Sequence, residues 1–439
     1  MDRLLIQGAS FAVALILLAG CGALRQTQGD MQPPIAVAGS SKQSTASPRA
    51  IAHFVYVANS VSNNVSAYAI DAHTGALKQL RGSPFAAGED PERLVIDPSG
   101  KFAFVVNVYS DNVFAYIIGG TGALKQVKGS PFGAGQPSAL AVDPAGTFVY
   151  VTSTFANNVF AYAFNARTGA LRPIKRSPFG AGEAPTDVAI DPAGRFAYVV
   201  NTDSENVSAY TINARAGALK QVKGSPFAAG VNPVGVTVDP AGKFVYVANA
   251  FSNNVSAYAI DASSGALTQV PGSPFLAGSK PRVVAIDPAG EFAYVLNSCT
   301  TSSCRRQSGS VSAYSVNART GALNQVKRSP FATGSGPSAV VIDPTDKFVY
   351  VTNEDSNDVS AYAINPSSGA LTPVNGSPFA AGSNPRDVAI DPVGEFAYVS
   401  NLGSNNVSAY AIDTSSGALR QVQGSPFAAG TWPGAVAIR

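Results

Sequence analysis

Hydrophobic and polar residues follow one short pattern that returns along the chain. The run that begins Phe54-Val55-Tyr56-Val57 recurs seven times, at Phe102, Phe148, Phe196, Phe244, Phe292, Phe348 and Phe396. Successive copies are 46 to 48 residues apart, except for one interval of 56 residues. A fixed period of this length indicates one supersecondary unit repeated eight times.

One repeat contains four apolar runs separated by turn residues. The second copy predicts strands at Pro91 to Ile96, Phe102 to Asn107, Asn112 to Ile118 and, more weakly, Leu124 to Val127. The Asp97-Pro98-Ser99-Gly100 sequence predicts a tight turn, because proline presets φ and glycine accepts a positive φ. A loop around Ser130 to Gly133 leads to the next repeat. Strands with regular turn signals and no helix periodicity indicate an all-β fold.

The two ends of the repeat region predict how the fold closes. The first copy begins at a second strand, Phe54, and the chain ends with an inner-strand sequence, Ala435 to Ile438. Pairing these segments removes an open sheet edge. We therefore predict an eight-bladed β-propeller of four-stranded antiparallel blades, closed by the C-terminal strand joining the first blade. A seven-bladed ring is the alternative.

The N-terminal segment predicts export. Arg3 precedes an apolar run from Phe11 to Leu18 that is short for a membrane span. The following Leu18-Ala19-Gly20-Cys21 resembles a bacterial lipobox, in which the cysteine is lipidated; an ordinary signal peptide is the alternative. We predict a signal peptide at 1–20, lipidated Cys21 with a disordered tether at 21–52, and the propeller at 53–439. The protein is expected to be anchored in the cell envelope, at the outer membrane.

Two further cysteines fit an exported protein. Cys299 and Cys304 lie in the sixth repeat, within an insertion of about eight residues between Asn297 and Val311. An even pair in an oxidising compartment predicts a disulfide. The competing interpretation, half of a zinc site, lacks a second pair of Cys or His residues.

The repeat resembles a known family. Tyr350-Val351-Thr352-Asn353 spells the motif of the YVTN-repeat propellers, and the whole stretch from Phe54 to Arg439 is similar to those proteins and to the lactonase-like propellers, including 6-phosphogluconolactonase. The resemblance implies the propeller fold, usually with seven blades. Its members include lactone hydrolases and surface proteins without known chemistry, and no catalytic motif transfers to this chain residue by residue.

Composition narrows the possible partners. Charged residues make up only 13% of the chain and the formal net charge is +3. This charge is too small to predict nucleic acid as a partner. Only two histidines, His53 and His73, and one tryptophan are present, and no metal site or cofactor is predicted. We expect a monomer whose only membrane contact is the lipid anchor.

Differences between repeats predict where a ligand binds. The loops that lead into the inner strands vary most, and the insertion opens on the same face of the propeller. We predict that basic and aromatic residues here bind an anionic or carbohydrate-like small molecule or a protein partner. These candidates are Arg93, Lys280, Arg282, Arg386, Trp432, Arg305 and Arg306. Drift among solvent-exposed loop residues is the alternative explanation.

Catalytic signatures are weak. A nucleophile activated by a histidine is not evident. The candidate bases are carboxylates at the same loops, namely Glu92, Glu183, Asp187 and Asp387. We therefore expect a ligand- or partner-binding module without evident catalysis, with a lactone hydrolase as the alternative.

Overall fold

The computed structural model describes residues 53–299 and 308–439, which form eight antiparallel β-sheets arranged in a ring. Each sheet is one blade, and the inner strands of successive blades contact each other in chain order. We number the blade that contains Phe54 as blade 1 and continue along the chain to blade 8. No helix in the described part of the chain is long and apolar enough to cross a membrane.

The inner strands line the central channel. In blades 2 to 8 and then blade 1 they span Pro91–Ile96, Pro137–Val142, Pro185–Ile190, Pro233–Val238, Ser279–Ile286, Pro337–Ile342, Pro385–Ile390 and Pro433–Ile438. The second strands of blades 1 to 8 span Phe54–Asn59, Phe102–Asn107, Phe148–Ser153, Phe196–Asn201, Phe244–Asn249, Phe292–Cys299, Phe348–Asn353 and Phe396–Asn401. Both sets begin where the sequence repeats predict, except that the inner strand of blade 6 starts two residues before its proline, Pro281.

The remaining strands build the outer part of each blade. The third strands span Asn64–Ile70, Asn112–Ile118, Asn158–Phe164, Asn206–Ile212, Asn254–Ile260, Ser308–Val316, Asp358–Ile364 and Asn406–Ile412. The outer strands span Leu77–Gln79, Leu124–Gln126, Leu171–Pro173, Leu219–Gln221, Leu267–Gln269, Leu323–Gln325, Leu371–Pro373 and Leu419–Gln421.

A short fifth strand in each blade was expected to be loop. These strands span Phe85–Ala86, Phe132–Gly133, Phe179–Gly180, Phe227–Ala228, Phe275–Leu276, Phe331–Ser335, Phe379–Ala380 and Phe427–Ala428. In blade 2 the outer strand pairs only with Tyr116 to Ile118 of the third strand. Phe132 and Gly133 pair with Val113 and Asn112, so they cover backbone groups that the short outer strand leaves open.

The C-terminal strand closes the ring as predicted. Val55, Tyr56 and Val57 pair with Ile438, Ala437 and Val436. The eighth blade is thus followed by the inner strand of the first, and the structure confirms eight blades rather than the alternative of seven. This pairing leaves no open join between the first and last blades.

Aromatic side chains hold adjacent blades together. The second-strand Tyr56 donates its hydroxyl to the carbonyl of Gly122 in the next blade at 2.7 Å. Equivalent bonds follow from Tyr150, Tyr198, Tyr246, Tyr294, Tyr350 and Tyr398. Gly122 has a φ of 81°, and a Cβ atom there would overlap the ring of Phe54. Glycine at this repeated position therefore permits both the turn and the close approach of the aromatic ring.

The two faces of the ring are built differently. The turn face carries the Asp-Pro-x-Gly turns that join inner to second strands. There Asp97 Oδ1 accepts hydrogen bonds from the backbone of Lys101 and Phe102 at 2.8 and 2.7 Å. The mouth face carries the loops that follow the second strands and the loops that lead into the inner strands. The N-terminal ends of the inner strands open on the mouth face.

Candidate functional site in the central channel

Charged side chains in the channel come from alternate blades. The first two residues after the inner-strand proline include at least one charged residue in blades 2, 4, 6 and 8, as Glu92-Arg93, Thr186-Asp187, Arg282-Val283 and Arg386-Asp387. In blades 1, 3, 5 and 7 they are Gly434-Ala435, Ser138-Ala139, Val234-Gly235 and Ser338-Ala339. Strands that converge on one axis leave room for large side chains only from every second strand, as in the layered interior of small barrels. The channel at this level is therefore filled by side chains.

Arg93 lies between two aspartates from opposite sides of the ring. Asp187 belongs to blade 4 and Asp387 to blade 8, which face each other across the channel, and Arg93 of blade 2 lies midway around the ring between them. Both carboxylates interact electrostatically with its guanidinium. Burial lowers the pKa of Arg93, and the charges of Asp187, Glu92 and Asp387 oppose that effect. A buried cation placed between two anions forms a brace across the channel.

The same two aspartates also bind the backbone of the next blade. Asp187 Oδ2 accepts a hydrogen bond from Val236 N at 3.1 Å, and Asp387 Oδ2 accepts one from Val436 N at 3.0 Å. Burial raises the pKa of Asp187, and it raises the pKa of Asp387 to about 7, although Arg93 and the backbone donors favour the charged forms. Both side chains are almost completely buried. As placed, they are better suited to holding Arg93 than to contacting a ligand.

A second group of charges lies nearer the mouth. The carboxyl groups of Asp90 and Glu92 are hydrogen bonded to each other. Burial raises the pKa of Glu92 to about 7, and the charge of Asp90 adds to the rise, whereas Arg386 and Arg93 oppose it. A carboxyl group that changes charge near neutral pH, beside a second carboxyl and two arginines, is suited to moving a proton.

Arg386 acts on Glu92 of this pair and also interacts with Glu354 and Arg282. Arg386 Nη1 lies 3.2 Å from Glu354 Oε2, which belongs to the neighbouring blade. Burial lowers the pKa of Arg282 to about 10, the charge of Arg386 lowers it further, and Glu354 opposes both effects. The predicted anion-binding arginines therefore lie among carboxylates rather than alone. Together, Arg93, Arg282 and Arg386 interact with four carboxyl groups, those of Glu92, Asp187, Glu354 and Asp387.

The other predicted site residues lie away from this cluster. Glu183 and Trp432 are exposed on the mouth face, and Lys280 is partly exposed there. Arg305, Arg306, Cys304 and Cys21 lie outside the described residues, as does the side chain of Cys299. The lipidation and disulfide therefore stay predictions. Among residues 53–299 and 308–439, no group of three or more His, Cys, Asp or Glu side chains is arranged to hold a metal ion.

Sequence reasoning missed two charged residues that the structure brings into contact with others. Glu354 was not predicted to reach the channel. It is the only charged residue at its position, which is Ser, Thr, Ala, Val or Leu in the other seven blades. Asp346 replaces the repeated glycine of a turn on the opposite face, with a φ of 60°. Burial and the neighbouring Asp287 raise the pKa of Asp346 to about 7. In both cases a break in the repeat was the available signal.

Comparisons with known proteins agree with this architecture. The sequence model of the family described as "Lactonase, 7-bladed beta-propeller" matches residues 18–133, 127–234, 223–331 and 307–432. No curated protein sequence matches the chain. The match covers nearly the whole chain, although this ring has eight blades rather than the seven in the family description.

Solved structures share the fold at low sequence identity. A candidate 6-phosphogluconolactonase from Bacteroides fragilis has a TM-score of 0.61 and 18% identity, covering 90% of this chain and 99% of its own. The periplasmic gluconolactonase of Pseudomonas aeruginosa has a TM-score of 0.58 and 21% identity, covering 88% and 99%. Hydrazine synthase of Kuenenia stuttgartiensis has a TM-score of 0.54 and 20% identity, covering 74% and 96%. Proteins of such different names share the architecture, so it does not by itself identify a reaction.

Proposed function

Because the chain belongs to the Lactonase, 7-bladed beta-propeller family, we propose that it hydrolyses a lactone at the mouth of its central channel. The observation that carries the proposal is the placement of the Asp90–Glu92 carboxyl pair beside Arg386 at the open end of the inner strands. This combines a proton acceptor with fixed positive charge in one partly buried site.

The proposed reaction uses Glu92 as the general base. The carboxylate takes a proton from water as the water oxygen attacks the ring carbonyl carbon. Arg386, held by Glu354, and Arg282 stabilise the negative charge that develops on the carbonyl oxygen. When the ring C–O bond breaks, the departing oxygen receives the proton from Glu92, and the product is a hydroxy acid. No cofactor is needed to balance this step.

The purified full-length protein tests the proposal against a panel of sugar γ- and δ-lactones, with and without a phosphate group. We expect hydrolysis above the buffer rate, rising with pH as Glu92 loses its proton around pH 7. Glu92→Gln should lower kcat/KM by about 10²- to 10⁴-fold, since general-base catalysis contributes that much. Glu89→Gln, on the exposed part of the same loop, is the matched control and should leave the rate unchanged.

Two outcomes would overturn the proposal. One is a Glu92→Gln variant that hydrolyses the lactones as fast as the wild type. The other is absence of turnover for every lactone in the panel. If calorimetry then shows that a lactone or its hydroxy acid binds without turnover, the protein is the non-catalytic binding module that is the other expectation from the sequence.

The same proposal includes export and a lipid anchor. The periplasmic location named for the Pseudomonas aeruginosa relative supports export, and the lipobox-like Leu18-Ala19-Gly20-Cys21 supports attachment through Cys21. Cys21→Ser should move the protein from the membrane fraction to the soluble fraction, as measured by fractionation and immunoblotting. A variant that stays with the membranes would contradict attachment through Cys21.

A further inference from the structure

Exposed apolar side chains are concentrated on the mouth face. Among the described residues, eight large hydrophobic side chains are exposed, and six of them lie in mouth-face loops of blades 1, 2, 3 and 5. These six are Val61, Tyr109, Phe155, Val231, Phe251 and Trp432. Tyr109, Phe155 and Phe251 occupy the same loop position in their blades, where blades 4 and 7 have Asp203 and Asp355. The position therefore tolerates polar residues, and the fold does not require aromatic ones.

Backbone contacts bring these side chains together along the rim. In blade 1, Ser60 N donates to the carbonyl of Trp432 at 2.9 Å, which places Val61 beside Trp432. In blade 5, Phe251 N donates to the carbonyl of Val231 at 3.2 Å. Blades 1, 2 and 3 are consecutive in the ring, so Trp432, Tyr109 and Phe155 lie on neighbouring blades. Large apolar side chains exposed together on one face mark interaction sites.

The mouth-face loops of blades 1 to 5 carry only negative charges. The described mouth-face loops of blades 1 to 5 contain six acidic residues, Glu89, Asp90, Asp111, Glu183, Asp203 and Glu205, and no Lys, Arg or His. Blades 6 to 8 differ, since Lys280 lies in their rim and Arg282 and Arg386 lie just below it. A surface with acidic and aromatic residues attracts cations through ion pairs and through the faces of aromatic rings.

We propose that the mouth-face loops of blades 1 to 5, here called the acidic–aromatic arc, dock a protein partner that presents a lysine- and arginine-rich segment. Exposed Tyr and Trp side chains match the anchors of protein interfaces, and the acidic residues among them favour a basic partner and exclude an acidic one. This docking goes beyond the proposed lactone hydrolysis. Asp90 belongs to both the arc and the hydrolytic site, and none of the arc residues changed in the tests below is assigned to the hydrolysis.

The single tryptophan of the chain provides the assay. Trp432 is 49% exposed on the arc, so its emission should shift when a segment covers it. The probe is a lysine-rich peptide of about 12 residues titrated into the full-length protein, with a glutamate-rich peptide of equal length as the control. We expect saturable binding of the lysine-rich peptide that weakens as salt rises, and no saturable binding of the glutamate-rich peptide.

Variants test whether the peptide binds to the acidic–aromatic arc or is attracted to acidic residues anywhere on the protein. Tyr109→Ala combined with Phe155→Ala should weaken binding at least about tenfold, as should Glu89→Lys combined with Asp203→Lys. Val393→Ala removes an exposed side chain in a turn on the opposite face and should leave affinity unchanged. Thermal melts should not change in any of these variants, because all the side chains are exposed.

The proposal is overturned if both peptides bind equally, or if the Tyr109/Phe155 variant retains full affinity. It is also overturned if Trp432 emission changes with protein concentration alone, since the arc would then dock a second copy of this chain. Lactone turnover measured on the same variants should stay at the wild-type rate. Loss of turnover in Glu92→Gln with peptide binding intact would show that the two functions are independent.

Discussion

The turn face and the mouth face of this propeller are built from the same repeat but have diverged to different extents. On the turn face, the aspartates at equivalent positions in seven turns are all buried, and each accepts a hydrogen bond from the backbone of the strand that follows. On the mouth face, the position after the inner-strand proline holds glutamate, serine, threonine, valine, arginine or glycine in different blades. The position before that proline holds aspartate, glutamine, alanine, asparagine, lysine, glycine or tryptophan. Residues that every blade repeats are those that each turn needs in order to form, and the functional candidates lie where the repeat is broken.

Three aspartates do not fit this division between a structural turn face and a variable mouth face. On the mouth side, Asp187 and Asp387 are buried and bind backbone, so they resemble the structural aspartates of the turns. On the turn side, Asp346 departs from the repeat and brings a carboxyl group against Asp287. Divergence from the repeat therefore identifies an altered environment, and only the contacts show whether it is a site or a brace.

Both faces depend on a closed ring, so opening the ring should cause the largest loss in the free energy of unfolding. Deleting residues 434–439 removes the paired part of the inner strand of blade 1 and exposes backbone groups of the buried Phe54–Asn59 strand. Each unpaired buried group costs about 1–3 kcal/mol, so we expect a loss of more than about 5 kcal/mol in the free energy of unfolding. Chemical denaturation measures it. Arg439→Ala is the control and should cost less than about 1 kcal/mol; equal stability of the deletion would contradict the closure.

Removing one aspartate of the brace should destabilise the protein, although Asp187 and Asp387 lie on the mouth side of the ring. Asp187→Ala takes one partner from the buried guanidinium of Arg93 and one acceptor from Val236 N. Loss of one partner of a buried ion pair costs about 3–5 kcal/mol. Asp203→Ala, an exposed aspartate on the same face, should change stability by less than about 0.5 kcal/mol. Similar urea midpoints for the two variants would show that Asp187 is not part of a brace.

Replacing an aspartate of the turn face should cause an intermediate loss of stability. Asp97→Ala removes the acceptor for the backbone donors of Lys101 and Phe102. We expect a loss of about 2 kcal/mol, because two buried or partly buried N–H groups lose their carboxylate partner. Urea denaturation of Asp97→Ala beside Asp203→Ala compares the two faces directly. Equal losses of stability in Asp203→Ala and Asp97→Ala would contradict the proposed difference between the two faces.

Replacing Asp346 with the glycine that the other turns have should cause the smallest change in stability, and it should stabilise the protein rather than destabilise it. The pKa of Asp346 is about 7 in the folded protein against 3.8 ordinarily, so folding takes up a proton between these values. The stability that this group contributes is greatest below about pH 4 and falls as pH rises through 7. Nearby Asp343 and Glu291 act in the same direction.

Asp346→Gly removes this repulsion and suits the positive φ. We expect a gain of about 1 kcal/mol at pH 8, a modest value because solvent screens the partly exposed pair, and a smaller gain at pH 4. Thermal melts at the two pH values measure the difference. A gain that does not depend on pH would assign the whole effect to the backbone conformation. Asp346→Asn, which keeps the side-chain size without the charge, separates the two contributions.

Part of the candidate site was predictable from the sequence. The loops that lead into the inner strands were correctly placed on one face, and Glu92, Arg93, Asp187, Arg282, Arg386 and Asp387 all lie at the mouth ends of these strands. The sequence did not predict which of them would be ligand-facing. Asp187 and Asp387 are some 200 residues apart in numbering, and the sequence contains no sign that both would approach Arg93.

The sequence alone determined the number of blades, the four main strands of each blade, their turns and the closure of the ring, but not the short fifth strands. Each of these depends on local residue types repeated at a constant period, such as the proline and glycine of a turn or the apolar run of a buried strand. Only the tertiary structure decided the roles of the charges. Opposite blades meet across a narrow channel, so the burial and pairing of a side chain there depend on a blade that is half the ring away, and no local pattern contains that information.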